Sequence, residues 1–316
     1  MIILTGAAGF IGTNILRKLN EDNINDIIVV DEINDSSKWK QLNGCKFIDY
    51  VNKESIFEYL EKNRDKIGGI IHMGACSSTT EKNFDFLYLN NVVYSQRLWK
   101  FCSRKEINFV YASSAATYGC GENGFDDTHD SIGLLNPINV YGYSKHLFDL
   151  WALKQEVKPA HWVGLKFFNV YGPFENFKGD MASVAHRGIL QAYHDGFIKL
   201  FKSENNQYKD GEQKRDFIYI DDLVSAVIHF FKGKGKSGIY NIGTGKAQTF
   251  NEIGSAIIAN CDVEAKIKYI EMPDKLVGSY QYFTEAKIEK LRSSGFNNEF
   301  SLANDGVKKM IEKFNF

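Results

Sequence analysis

Proline is scarce in this chain. Its four residues, Pro137, Pro159, Pro173 and Pro273, are scattered over 316 positions, so no proline-rich linker separates flexible modules. Cysteine is sparse too. Cys45, Cys76, Cys102, Cys120 and Cys261 are odd in number and nowhere spaced as CxxC, which argues against a disulfide framework and a zinc site. Reduced, buried or half-buried thiols are the simple reading, and no metal site is expected. No apolar run approaches the roughly 18 residues of a membrane span, and residues 1–6 begin as a strand without the basic segment of a secretory leader. Charge of one sign is missing as well. Lys and Arg number 38 against 39 Asp and Glu, a net charge of −1, so there is no electrostatic footprint for bulk nucleic acid or an anionic membrane. A reducing, cytoplasmic setting is the expectation.

What is present is a repeated alternation. Short apolar runs at 2–4, 27–30, 46–48, 70–72, 109–112 and 162–168 are separated by helical spacing at 12–20, 84–103 and 143–154. Strands alternating with helices of this length predict βαβ units and a doubly wound, parallel α/β sheet of the Rossmann kind. The texture changes after about residue 172. A helix is expected at 181–194, a polar loop at 202–214, strands at 216–220, 238–242 and 266–269, helices at 221–231 and 250–259, and two helical patches near the end. The expected division is a dinucleotide-binding domain at 1–170, to which later segments return, and a smaller α/β substrate lobe made mainly of 171–316.

The first turn carries the first chemical signal. Gly6-Ala7-Ala8-Gly9-Phe10-Ile11-Gly12 follows the opening strand and starts a helix. Glycines let backbone approach a pyrophosphate, whose charge then sits on the positive helix N-terminus. Asp31 lies 19 residues beyond Gly12, where an acid can bond an adenosine ribose. Asp31 and Glu32 disfavour a 2′-phosphate, whereas Lys38 offers one a partner, so NAD and NADP both stay open on these residues. Asp49, read as following the third strand, is a candidate for the adenine amino group. Gly74-Ala75-Cys76, after the fourth strand, would line the far side of the pyrophosphate.

The second signal is Tyr141-Gly142-Tyr143-Ser144-Lys145, a YxxxK that places Tyr141 and Lys145 on one helix face. A lysine ammonium and a cationic nicotinamide both favour a phenolate, which can take a proton from a substrate hydroxyl. Ser114 closes the fifth strand and can bond the same oxygen. Arg215 suits a diphosphate, which a guanidinium grips with two bonds; an ion pair with Asp216 or Asp221 is the alternative.

Glycine turn, strand-end serine and YxxxK occur in the order found in the short-chain dehydrogenase/reductase superfamily. The length, Tyr171-Gly172-Pro173, Arg215-Asp216-Phe217-Ile218-Tyr219 and Tyr240-Asn241-Ile242-Gly243-Thr244-Gly245 resemble its extended branch, which acts mainly on nucleotide sugars. Dehydratases of that branch carry Asp-Glu beside the strand-end hydroxyl, where this chain has Ala115-Ala116. Four further stretches, beginning at Gly74, Tyr111, Asn169 and Lys178, resemble the ADP-L-glycero-D-manno-heptose 6-epimerase family, as do Pro273-Asp274-Lys275-Leu276 and Tyr280-Gln281.

The resemblance implies an isomerase of lipopolysaccharide heptose supply, redox-neutral over a turnover, with NADP (or NAD) retained. It implies Tyr141 and Lys178 as two bases, with Ser114 and Lys145 beside Tyr141. It implies cofactor contacts from Phe10, Ile11, Asp31, Glu32, Lys38, Lys53, Asn90, Lys145 and Val170. Substrate contacts would come from Asn169, Asp180, Phe201, Arg215 and Tyr280. The family's histidine after Ser-Val-Ala-x is Arg187 here, with His186 one place earlier, so both are candidates. The family forms homo-oligomers, a pentamer being the guess. A UDP- or GDP-hexose 4-epimerase and a catalytically inactive NAD(P)-sensing protein are the alternatives.

Overall fold

β-Branched runs with both faces covered form the middle of the protein. In a computed structural model describing residues 1–273 and 280–314, thirteen strands are assigned. They are β1 (Ile2–Thr5), β2 (Ile27–Asp31), β3 (Asp49–Asn52), β4 (Gly69–His72), β5 (Asn108–Ser114), β6 (Trp162–Phe167), β7 (Asn169–Tyr171), β8 (Phe197–Phe201), β9 (Lys214–Arg215), β10 (Phe217–Tyr219), β11 (Gly238–Ile242), β12 (Gln248–Thr249) and β13 (Lys266–Ile270). Seven make one parallel sheet in the order β3-β2-β1-β4-β5-β6-β11. Every residue of β2, β4, β6 and β11 is buried, the pattern of strands covered by helices on both faces. The strand order reverses between β1 and β4. Ligands of doubly wound sheets bind at such a reversal, beyond the carboxyl ends of the strands.

The third strand differs from its expectation. The run at 46–48 leads into β3 and is not part of it, because pairing with β2 begins at Ile28↔Asp49. Asp49 therefore opens its strand, exposed, at the amino edge of the sheet. It cannot reach an adenine at the carboxyl edge, where Asn52 and Lys53 stand instead.

The long helix at 84–103 is also modified. Phe84–Leu87 and Tyr88–Val93 precede Tyr94–Lys105, and the middle segment has π-helical geometry. The wider turn presents consecutive residues Asn90 and Asn91 toward the sheet crevice. Asn91 bonds both the amide (2.9 Å) and carbonyl (3.0 Å) of Cys76, and the Ser144 hydroxyl (3.0 Å).

Beyond residue 170 the chain crosses repeatedly between two regions. The helix Ile220–Phe231 packs on the helix Phe10–Glu21, and β11 completes the large sheet. Between and after them, β8 pairs with β13 in parallel, the helices Val184–Asp195 and Phe250–Asn260 pack on that pair, and the helix Ala303–Glu312 packs on Phe250–Asn260. A capping box, Thr249 with Glu252, starts the middle helix of these three. The segment 202–214 folds as a turn, with Ser203 bonded to Asp210 and Asn251 bonded to Glu212. Among the described residues no helix is long and apolar enough to cross a membrane.

Candidate active site

A cleft of about 770 Å³ opens at the reversal point and runs from the glycine turn to the β8 region. Gly6 holds φ +67°, and a Cβ on it would lie 2.7 Å from the Gly74 nitrogen; a Cβ on Gly12 would collide with the Gly6 carbonyl. These absences of side chain bring backbone amides to the open N-terminus of the helix Phe10–Glu21, whose N-cap is Gly9 and has no side-chain acceptor. The cradle fits a dinucleotide pyrophosphate.

Behind it, the Gly74 amide donates to Thr5 Oγ1 (3.1 Å), and Thr5 lies 2.6 Å from His72 Nδ1. His72 Nε2 meets Ser95 Oγ at 2.9 Å. Burial, with the Lys145 charge, pushes His72 down to about 3. It stays neutral and serves as a fixed strut under the loop 74–76.

Asp31, the candidate for the ribose, lines the cleft with Glu32, Lys38 and Lys53. Asp31 Oδ2 accepts from the Ala8 amide (2.9 Å), and its Oδ1 accepts from the Glu32 amide (2.8 Å) and Lys38 Nζ (2.5 Å). Glu32 pairs with Lys53 at 2.6 Å, and Lys53 also donates to Asn90 (3.2 Å). Each acid is thus already matched to a cation, so either lysine could turn to a 2′-phosphate. Lys38→Ala should weaken NADPH binding about tenfold, or roughly 1.4 kcal/mol, and NADH binding much less. Titration of nicotinamide fluorescence would check this; equal weakening of both would remove Lys38 from phosphate recognition.

Tyr141, Lys145 and Asp149 follow one another at i, i+4 and i+8 on the helix Val140–Lys154, which starts at the Asn139 cap (Oδ1 to Gly142 N, 2.8 Å). Burial raises the Tyr141 phenol, and a hydrogen bond with Ser114 opposes that rise. Ser114 itself caps the next turn through Ala116 N (3.1 Å). Lys145 donates to the Ala112 carbonyl (2.9 Å), and burial pushes it down to about 8 against the attraction of Asp149.

Asp149 is wholly buried. It accepts from Tyr111 (3.0 Å), Ser113 (2.6 Å) and the equally buried Lys166 (2.6 Å), which also donates to Thr117 (2.7 Å). This network, absent from the sequence reading, anchors the rear of the helix that carries Tyr141.

The lowered Lys145 predicts a pH effect. Below pH 8 the buried ammonium costs stability. Between about 8 and 10.5 the unfolded chain binds the extra proton and the native state does not, so the cost is relieved as pH rises. Lys145→Met should lack this upward contribution and should unfold at no lower temperature than wild type at pH 7. Thermal scans from pH 7 to 10 would check it; an identical pH slope in both proteins would contradict it.

The opposite wall comes from 169–187. Asn169, Val170, Lys178 and Arg187 line the cleft, as do Phe201, Arg215 and Tyr280. Arg215 forms no ion pair with Asp216 or Asp221. It donates to the Lys214 carbonyl (3.0 Å) and to the Gln281 carbonyl, and lies 5.0 Å from the Tyr280 ring centre.

Asp180 is exposed and outside the cleft lining. His186 is also outside it, buried on the far side of its helix against Phe314 (ring centres 5.1 Å apart). Of the two candidates at 186 and 187, only Arg187 faces the cavity. Asp274, Lys275 and Leu276 of the Pro273 motif lie outside the described residues. Among the described residues, no group of three His, Cys, Asp or Glu side chains is placed to hold a metal.

Known proteins share this fold and much of this sequence. A model described as the NAD dependent epimerase/dehydratase family matches residues 2–243. A Fusobacterium nucleatum protein named ADP-L-glycero-D-manno-heptose-6-epimerase is 47% identical, with 99% of this chain and 98% of that protein covered. A protein of the same name from Nitratidesulfovibrio vulgaris is 44% identical with the same coverage. The crystal structure of the Helicobacter pylori ADP-L-glycero-D-manno-heptose-6-epimerase superposes with a TM-score of 0.83 at 29% identity, over 99% of this chain and 95% of that one. Matched by that family over more than half of its length, the chain belongs to the NAD dependent epimerase/dehydratase family.

Proposed function

We propose that this protein is an isomerase that inverts C6″ of ADP-D-glycero-D-manno-heptose to give the L-glycero epimer, supplying heptose for the lipopolysaccharide inner core. The observation that carries this reading is the meeting of two proton-handling side chains, Tyr141 and Lys178, from separate elements in one cleft. A 4-epimerase of UDP- or GDP-hexoses would have no use for the second.

The bound dinucleotide, NADP or NAD, supplies a reversible hydride acceptor. The glycine turn holds its pyrophosphate, and Lys38 and Lys53 stand at the ribose. Arg215 and Arg187 provide positive charge for the ADP diphosphate, and the Tyr280 and Phe201 rings flank that end of the cleft. Ser114 bonds the reacting oxygen. Tyr141 takes the hydroxyl proton as C6″ becomes a ketone, and Lys178 serves the same oxygen after the sugar end has turned. The setting we propose is cytoplasmic, and the working form a homo-oligomer.

The test is NMR of ADP-D-glycero-D-manno-heptose with a catalytic amount of protein and no added cofactor. Conversion to the L-glycero epimer is expected, and mass spectrometry of the released nucleotide would decide between NADP and NAD. If the sugar stays unchanged even with both cofactors supplied, the reading falls.

A further inference from the structure

Lys178 does not stand alone. Its ammonium lies 2.9 Å from Glu175 Oε2, and the Glu175 side chain is wholly buried. The same carboxylate accepts from the Ser183 amide (2.8 Å), the Ser183 hydroxyl (2.7 Å) and the Gly172 amide (3.3 Å). Its three neutral donors fix it in place at the base of the segment 172–183. The turn that aims it inward is strained. Phe174, next in the chain, holds φ +72°, a left-handed conformation that a bulky residue adopts only under constraint. Arg17 over the Phe174 ring (4.5 Å) and Asn14 on the Pro173 carbonyl (3.3 Å) supply that constraint from the cofactor-binding helix. Lys178 also lies 4.8 Å from the ring centre of Phe10, in the glycine turn.

We propose that Glu175 is a positioning residue for the second proton-transfer site. It holds Lys178 in the cleft as an ammonium, ready to give its proton when the C6″ ketone is reduced. This rests on the epimerase reading above. The balance is closed. On oxidation, Tyr141 takes the hydroxyl proton, while the C–H hydrogen leaves with its two electrons to the bound nicotinamide dinucleotide. On reduction, that hydrogen and electron pair return to the other face, and Lys178 gives a proton to the carbonyl oxygen. Tyr141 and Lys178 then exchange the difference of one proton with solvent. Glu175 thus places Lys178 to act in the return step, while Tyr141 acts in the first.

The experiment compares wild type, Glu175→Gln and Lys178→Met as purified holoenzymes with ADP-D-glycero-D-manno-heptose. Positioned acid–base groups contribute about 10²–10⁴-fold, so Glu175→Gln should lose on the order of 100-fold in kcat with KM changed by less than about twofold. Absorbance of reduced nicotinamide should build up on adding substrate, because oxidation at Tyr141 survives while the return step is slowed. Lys178→Met should show the same build-up. A merely structural role for Glu175 would slow both halves together and leave no reduced cofactor, and that result overturns the proposal, as does unchanged kcat. Should Glu175→Gln fail to fold, Glu175→Asp, which keeps the charge but withdraws it, carries the same comparison with the same two outcomes. A wild-type protein that leaves the sugar untouched would sink the epimerase reading instead, which keeps the two failures apart.

Discussion

Tyr141→Phe should lower kcat by about 10²–10⁴-fold, the usual contribution of a positioned acid–base group, and leave KM nearly unchanged. The hydroxyl is the only group removed, and it is hydrogen-bonded to Ser114. The ring stays in its place on the helix Val140–Lys154, whose cap and rear anchor do not involve the hydroxyl. Cofactor retained on purification should match wild type, and so should the unfolding temperature. Burial raises the phenol, so under the proposed mechanism the phenolate would have to be favoured by what enters the cleft. A cationic nicotinamide near the Lys145 ammonium would do this. The rate should therefore rise with pH on an acidic limb that Tyr141→Phe abolishes. Steady-state kinetics from pH 5 to 9 would check both statements. Near wild-type turnover by the phenylalanine variant would exclude Tyr141 as the base.

A second large effect concerns stability. Asp216→Ala should destabilise the fold by about 3–5 kcal/mol, as expected when a buried carboxylate leaves several donors unpaired. Asp216 is fully buried and accepts from Thr244 N (2.7 Å), Thr244 Oγ1 (2.8 Å), Gly245 N (2.9 Å) and Ala286 N (3.0 Å). Burial pushes its carboxyl above the ordinary range, and these donors oppose the rise. The residue thus ties together three chain segments far apart in sequence, directly behind Arg215. A fall in Tm on the order of 10 °C is expected for a chain of this size. Calorimetry would test it. A Tm within experimental scatter of wild type would mean that water replaces the carboxylate at no cost.

Much of this could be read from the sequence, because the signals were local. The glycine turn, the strand-end Ser114 and the YxxxK are each defined by spacing within one element, and the parallel sheet follows from strand–helix alternation. What escaped depends on pairing across the chain. Asp49 sits at the wrong edge because the register of β3 against β2, not the apolar run at 46–48, sets where the strand begins. Asn91 gained its role from a π-helical segment that rotates the helix by part of a turn, which periodicity alone does not announce. Glu175 drew no attention in the sequence, since nothing local says that Gly172 and Ser183 will enclose it. The Glu175–Lys178 spacing of three was the one available hint. The Asp149–Lys166 pair was hidden for the same reason: each partner is an ordinary surface residue type until β6 and its neighbouring helix bury both.

The position of β11 has a consequence for how the chain is made. As synthesis proceeds, β1 to β6 are all available once residue 167 has emerged, yet β6 then stands as an unpaired edge. Its bonding partner, Gly238–Ile242, follows only after the segment carrying Glu175 and the helices Val184–Asp195 and Ile220–Phe231. An open, apolar edge strand is a template for pairing with another chain, and non-local closure of this kind is slow. The nascent protein is thus exposed to aggregation for the interval between residues 167 and 242, and a fragment ended near residue 170 would keep that exposed edge for good.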